Sequence, residues 1–279
     1  MVQHSLLAAL FAGIVAIGVT LLIEKFGGTI GGILGTIPTT IVPASAGMAL
    51  ASNDLDLRMS LAVVPAGMLI NGIFLVNWKF LPTYFKYTEK PYTILIKIIL
   101  ISLIIWSLCG LFILKIISMG INSDFSPSEI GISGLSLTML LGIIMCWHID
   151  STPSSVNEVS NYVLFSRGVM AAIAIGVSVW IAGLGYPLIA GLASVFPAIF
   201  LTSMIALWIS QGPSVPMSAA GPMILGGASV GVYAIIAMWS LPKFGIINGS
   251  FLAWFLSIVL WSIPSFQFVR WRQQNSLTL

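Results

Sequence analysis

Residues 31–45 read GGILGTIPTTIVPAS, and residues 190–204 read AGLASVFPAIFLTSM. Gly32 matches Gly191 and Pro38 matches Pro197, both at an offset of 159 residues. Each stretch is apolar enough to enter a bilayer, yet each holds a proline and hydroxyl side chains near its middle. Both are followed by a long apolar segment with its own proline, Pro65 in one case and Pro222 in the other. A pattern that occurs twice at one spacing is the mark of an internal repeat, and it organises the reading of the whole chain.

The composition fixes the solvent. Of the 279 residues 58% are hydrophobic and 7% charged, with a mean hydropathy of +1.07, which no water-facing surface of this size tolerates. The expected fold is all-α, a polytopic membrane helix bundle of about nine spans. Apolar stretches of bilayer length fall at 4–23, 28–52, 59–78, 93–118, 129–147, 160–183, 186–211, 215–240 and 245–268. The first lacks the basic leader of a cleaved signal and is read as a span. Polar or turn-forming segments such as NDLDLR, NSDFSPSE and GLGYP separate them.

The repeat divides these spans into two four-span halves, residues 1–120 and 159–279, joined by a connecting fifth span and its loop at 121–158. Equivalent spans then lie an odd number of crossings apart, so the halves are expected to be inverted in the membrane. Lys25, Lys79, Lys86, Lys90, Lys97, Arg167, Arg270 and Arg272 fall on the side that receives the C-terminus, against Arg58, Lys115 and Lys243 on the other. The positive-inside rule makes the C-terminus cytoplasmic and the N-terminus external, in a cytoplasmic (inner) membrane.

The segment YPLIAGLASVFPAIFLTSMIAL, residues 186–207, with the apolar span before it and the long helix after it ending in MWS, resembles the GlpM-like family of small bacterial inner-membrane proteins. The likeness covers about 115 residues of the second half. In the first half GGILGTIP departs by placing Ile37 where the family has an aromatic before the proline. The resemblance implies a fused tandem of two four-span units. It implies membrane location, and carries no molecular activity across.

A proline inside a helix removes an N–H donor and crowds the carbonyl four residues back. In hydrocarbon such a break persists only where protein, hydroxyls, water or a ligand completes it. The two broken spans therefore form the candidate substrate site: Thr36, Pro38, Thr39, Thr40 and Ser45 from the second span, and Ser194, Pro197, Thr202 and Ser203 from the seventh. Asn71 in the third span joins them, with a helix-to-helix hydrogen bond as its other use. The expected ligand is a small polar solute or a cation. Healing of the kinks by Ser and Thr bonding back to their own helix is the packing alternative. Gly27, Gly31 and Gly35, with Gly28 and Gly32, make a small-residue strip suited to close helix packing.

The other side chains set limits. Glu24, Lys97, Lys115 and Arg167 lie near span ends, where long side chains snorkel to water. No carboxylate or histidine sits deep in a span, as a proton relay would need. His148, Asp150 and Ser151 are close in sequence but form no triad geometry at a helix end. Cys109 and Cys146 have no metal-ligand spacing, and no nucleotide, haem or metal motif occurs. The chain is expected to be a secondary transporter of a small solute, not an enzyme, with no cofactor, no metal and no nucleic-acid partner. The bilayer and the solute are its expected partners, with a homodimer left open. The alternative is a non-transporting accessory subunit of envelope polysaccharide or lipid assembly.

Overall fold

The computed structural model describes residues 2–26, 37–85, 90–147 and 161–276. Among these residues every regular element is a helix and there is no strand. In chain order they are α1 (Val2–Phe26), α2 (Ile41–Ala51), α3 (Asp54–Phe80) with a 3-10 turn after it (Leu81–Tyr84), α4 (Pro91–Asn122) and α5 (Pro127–Met145). Then follow α6 (Asn161–Gly183), α7 (Pro187–Ser194), α8 (Ala198–Gln211), α9 (Ser214–Ser257), a π-helical turn (Ile258–Ser262) and α10 (Ile263–Ser276).

Local chemistry explains the helix starts. Asn53 Oδ1 accepts the Asp56 N–H at 2.9 Å, and Asp54 and Asp56 place negative charge against the positive end of α3. At α5 a capping box closes the end: the Ser126 hydroxyl accepts from the Glu129 N–H while the Glu129 carboxylate accepts from the Ser126 N–H at 2.7 Å. Pro91, Pro127 and Pro187 occupy the first helical positions, where a missing N–H costs nothing.

Seven segments among the described residues are long and apolar enough to cross a bilayer, the last of them Ser214–Gln274. That last segment is not one rod. Gly245 adopts φ 77° and ψ 170°, a conformation closed to residues with a Cβ, and the chain turns back on itself there. Ser240 Oγ donates to the Gly249 carbonyl at 2.8 Å, and Trp261 Nε1 to the Leu225 carbonyl at 2.8 Å. A straight helix would hold Leu225 and Trp261 about 54 Å apart. Residues 214–244 and 246–276 are therefore two antiparallel arms.

The central helix is α3, whose apolar window is 78% buried, against 28% for α4 and 22% for α5. The outer helices turn apolar stripes outward: Leu100, Ile104, Leu108 and Leu111 on α4 recur at helical spacing and are each more than half exposed. In water such a stripe would cost on the order of 1.5–3 kcal/mol per side chain; in lipid it costs nothing. The chain is a multi-pass membrane protein.

Close backbone approach holds the bundle together. A Cβ on Gly134 of α5 would stand 2.7 Å from the Ala66 nitrogen in α3, and one on Gly142 would stand 2.7 Å from Cα of Leu225 in α9. On either side of these contacts, Gly131 faces Ala62, and Gly221 meets the Met145 carbonyl. Helices α1 and α6 are packed antiparallel, Gly13 against Ala172, Ala9 against Gly176 and Ile17 against Gly168.

The second expected span, 28–52, is described from residue 37, and its helix begins at Ile41. The seventh, 186–211, is two helices, α7 and α8, separated by Val195, Phe196 and Pro197. The glycines at 27–35, Thr36, His148, Asp150 and Ser151 lie outside the described residues.

Candidate functional site

The break between α7 and α8 follows from Pro197. The N–H groups of Val195 and Phe196 tighten the end of α7 by bonding to the Leu192 and Ala193 carbonyls at 3.2 and 3.1 Å. Pro197 has no N–H to continue the ladder, and Ala198 donates back to the Phe196 carbonyl at 2.7 Å. α8 then starts afresh with Pro197 as its N-cap.

The Val195 carbonyl exposed by this break is taken by Asn71. Asn71 Nδ2 donates to it at 2.8 Å, and Trp106 Nε1 donates to Asn71 Oδ1 at 2.7 Å. Asn71 is 2% exposed. A buried, neutral network thus ties α4 to α3 and to the break, and the Trp106 ring stands edge-on to Phe196 with centroids 5.3 Å apart.

A second non-helical stretch lies across the cavity from the first. Residues 37–40 are non-helical, and α2 starts at Ile41 with Thr40 as its N-cap. The Thr40 side chain makes no capping bond. Ile37, Pro38, Thr39 and Thr40 from this segment and Ser194, Val195 and Phe196 from the other line a single cavity of about 460 Å³.

Six candidates named from the sequence line that cavity: Pro38, Thr39, Thr40, Asn71, Ser194 and Ser203. Ser45, Thr202 and Pro197 are placed elsewhere, and Thr36 is outside the described residues. Ser45 donates to the Val42 carbonyl at 3.0 Å and stands 2.7 Å from the Tyr233 hydroxyl, joining α2 to α9. Thr202 bonds back to the Ala198 carbonyl at 2.9 Å, and the Pro197 carbonyl accepts the Leu201 N–H at 2.8 Å. Ser194, although in the wall, bonds back to the Gly191 carbonyl at 2.7 Å.

Sequence reasoning missed Arg167 and Thr20. Both line the cavity, and Arg167 Nη1 donates to Thr20 Oγ1 at 3.3 Å while Thr20 donates to the Ala16 carbonyl at 2.8 Å. Arg167 was expected to snorkel from a span end; it is half-buried in the wall instead. Its inward direction follows from its neighbour. Gly168 brings the α6 backbone against α1, so a Cβ on Gly13 would stand 3.1 Å from the Gly168 carbonyl oxygen. Among the described lining residues Arg167 is the one that carries a charge. Met68, Phe196, Phe200 and Met223 make the rest of the wall largely apolar.

A second cavity of about 590 Å³ lies between α4, α6 and α7, bounded by Leu111, Ile173, Val177 and Ile189, all exposed on the lipid-facing flank. Its wall is hydrocarbon apart from Trp106 and Ser107.

No family model matches the chain, and no curated protein or solved structure was found to be similar to it.

Proposed function

We propose that the chain is a nine-span secondary transporter of a small solute, built from two inverted four-span halves around the 460 Å³ cavity. The observation that carries this reading is that the non-helical stretches 37–40 and 195–197, which the repeat assigns to different halves, meet at the same cavity. Transporters place their substrates at such breaks because unwound backbone supplies polar groups where lipid has none.

Pairs of contacts support the inversion. The offset of 159 that separates Pro38 from Pro197 also separates Ala62 from Gly221, Ala66 from Leu225, and Gly72 from Gly231. Along α5 their partners run in the opposite order. Gly131 goes with Ala62 and Met145 with Gly221; Gly134 goes with Ala66 and Gly142 with Leu225; Leu141 meets Gly72 and Leu135 meets Gly231. Each of these α5 pairs is centred on Thr138. A two-fold axis crossing α5 at Thr138 reverses that helix, and an axis along the membrane normal would not. The α1 and α6 contacts obey the same relation, since Gly13 touches Ala172, its own equivalent at 159, and the Ala9 and Gly176 pair maps onto Gly168 and Ile17.

Orientation rests on charge. Lys79 Nζ donates to the Met145 carbonyl at 3.3 Å, and Arg272 donates to the Trp147 carbonyl, so the basic ends of α3 and α10 gather at one end of α5. We read that face as cytoplasmic, and the N-terminus as external. The likeness to the GlpM-like family rests on its sequence motif alone and agrees with a tandem of four-span units.

The accessory-subunit reading draws on the back-bonded Ser194 and Thr202, which need no ligand. A release screen separates the two. Proteoliposomes are loaded with a cytoplasmic metabolite extract, and the retained contents are measured by mass spectrometry against empty liposomes. Wild type is expected to release a solute that protein-free liposomes and the Pro197→Ala variant retain. Identical retention in all three would contradict transport.

A further inference from the structure

Resting on that reading, we propose that the transported solute is a single-chain amphiphile. Its hydrogen-bonding head lies in the central cavity and its hydrocarbon chain in the lipid-facing one, with the Phe196 ring as the gate between them.

The two cavities meet at one residue. Phe196 lines both the 460 Å³ cavity and the 590 Å³ cavity. Beside it the same break divides its neighbours, with Ser194 and Val195 in the wall of the first and Leu192 and Ala193 in the wall of the second. On α4, Trp106 lines the lipid-facing cavity while its indole N–H donates to Asn71, which lines the central one. The partition is therefore the edge-on pair of Trp106 and Phe196 rings, 5.3 Å apart.

Of the two rings, Phe196 is the one free to turn. Trp106 is tethered by its 2.7 Å bond to Asn71. Phe196 has no polar group to tether it, and it stands between α7 and α8, where the helix's exclusion of one side-chain rotamer does not apply. Its backbone is pinned at both ends, the N–H to the Ala193 carbonyl and the carbonyl to the Ala198 N–H. The ring can swing while the break stays in place.

The occupant follows from what each side offers. The lipid-facing cavity opens where Leu111, Ile173, Val177 and Ile189 are exposed, and in a bilayer that opening meets hydrocarbon chains. Its largely hydrocarbon wall would leave a polar body unpaired, so it suits a chain and not a head. The central cavity supplies hydroxyls from Thr39, Thr40 and Ser203. Ser203 is 8% exposed and its hydroxyl has no partner among the described residues, and Thr40 makes no capping bond. Hydroxyls both donate and accept, as recognition of a polyol or amide head requires.

Depth in the membrane agrees. From Trp106, near the middle of α4, the lipid-facing cavity extends toward Leu114 at one membrane face. The central cavity extends the other way, along α8 from Ile199 to Leu207. An extended molecule reaching from one to the other passes Phe196, and the displacement of one ring makes room for one chain.

The test uses the full-length chain in nanodiscs of diacyl phosphatidylcholine, with a monoacylglycerol that carries a photoreactive diazirine midway along its chain. After illumination the adducts are mapped by mass spectrometry. Adducts at Leu111, Ile173 or Val177 are expected to be suppressed saturably by unlabelled monoacylglycerol. Those at Leu100 and Ile104, which face bulk lipid on α4, are expected not to be. Hexadecane, which has no head, and diacylglycerol, which has two chains, should each compete at least tenfold less well. Ala174→Trp, which fills the lipid-facing cavity from α6, is expected to abolish the saturable adducts. Ser203→Ala should weaken competition about fivefold, as loss of one hydrogen bond would, and keeps the test open if the tryptophan variant does not fold. Phe196→Ala should let diacylglycerol compete nearly as well as the single-chain lipid.

Unsaturable labelling along the whole α4 stripe would mean bulk lipid only and overturn the assignment. So would equal competition by hexadecane or by diacylglycerol in the wild type, saturable adducts that survive Ala174→Trp, or single-chain preference unchanged in Phe196→Ala. The two levels fail separately, with movement of a fluorescent monoacylglycerol between the leaflets of proteoliposomes read by albumin extraction. Metabolite release without saturable labelling rejects the amphiphile and leaves transport standing. Saturable labelling with neither release nor movement between leaflets keeps the site and rejects transport.

Discussion

Asn71 on α3 donates to the carbonyl of Val195 at the break between α7 and α8, across 124 residues of sequence and 2.8 Å of space. The bond converts what would be an unpaired carbonyl in a lipid-enclosed bundle into a fixed part of the wall.

Asn71→Leu removes its bonds to the Val195 carbonyl and the Trp106 indole at once, along with a weak one to Met68 Sδ at 3.6 Å. A loss of about 2–4 kcal/mol is expected, because two buried polar groups are left unpaired. Thermal unfolding of the variant, of Trp106→Phe and of the double variant would check this. The two single losses should exceed the loss in the double variant, since the shared bond can be lost once.

The glycine contacts along α5 predict a matched pair of defects. Gly134→Ala and Gly142→Ala each push a methyl to 2.7 Å from backbone of the facing helix, and each is expected to cost roughly 1–3 kcal/mol. Gly18→Ala, whose methyl would meet nothing within 4 Å, should cost nothing. The unfolding midpoints of the three variants decide it.

The antiparallel packing of α1 on α6 is open to cross-linking. With Cys109 and Cys146 replaced by Ala, Gly13→Cys together with Ala172→Cys should form a disulfide on mild oxidation, because a Cβ at 13 would lie 3.4 Å from that of Ala172. Ala9→Cys with Gly168→Cys should not, being eight residues out of register. Cross-linking of the second pair and not of the first would reverse the packing direction.

Orientation carries its own expectation. A reporter fused after Leu279 should report the cytoplasm, and one inserted in the 120–128 loop should report the exterior. Both on one side would remove the odd crossing offset, and the inverted arrangement with it.

The break at Pro197 was legible in the sequence because proline lacks a donor wherever it stands, and the turn at Gly245 because LPKFG is a separator in any register. The rotation of each helix was not legible. Ser203 and Thr202 are adjacent, about 100° apart on a helix, and one faces the cavity while the other bonds inward. Ser45 was assigned with 28–52 taken as one kinked helix; starting α2 at Ile41 turns Ser45 toward Tyr233. Arg167 was counted as interfacial from its distance to a span end. What turns it inward is the contact of Gly168 with α1, a tertiary fact that apolar run lengths do not contain.

Whether the cavity is reached from both membrane faces is the most direct question. Ser203→Cys, in the chain lacking Cys109 and Cys146, would be treated with a membrane-impermeant maleimide in right-side-out cells and in inside-out vesicles. Leu108→Cys on the lipid-facing stripe would serve as the unreactive control. The expected result is modification of residue 203 from each side and none at residue 108. Modification of residue 203 from one side alone, or from neither, would contradict alternating access.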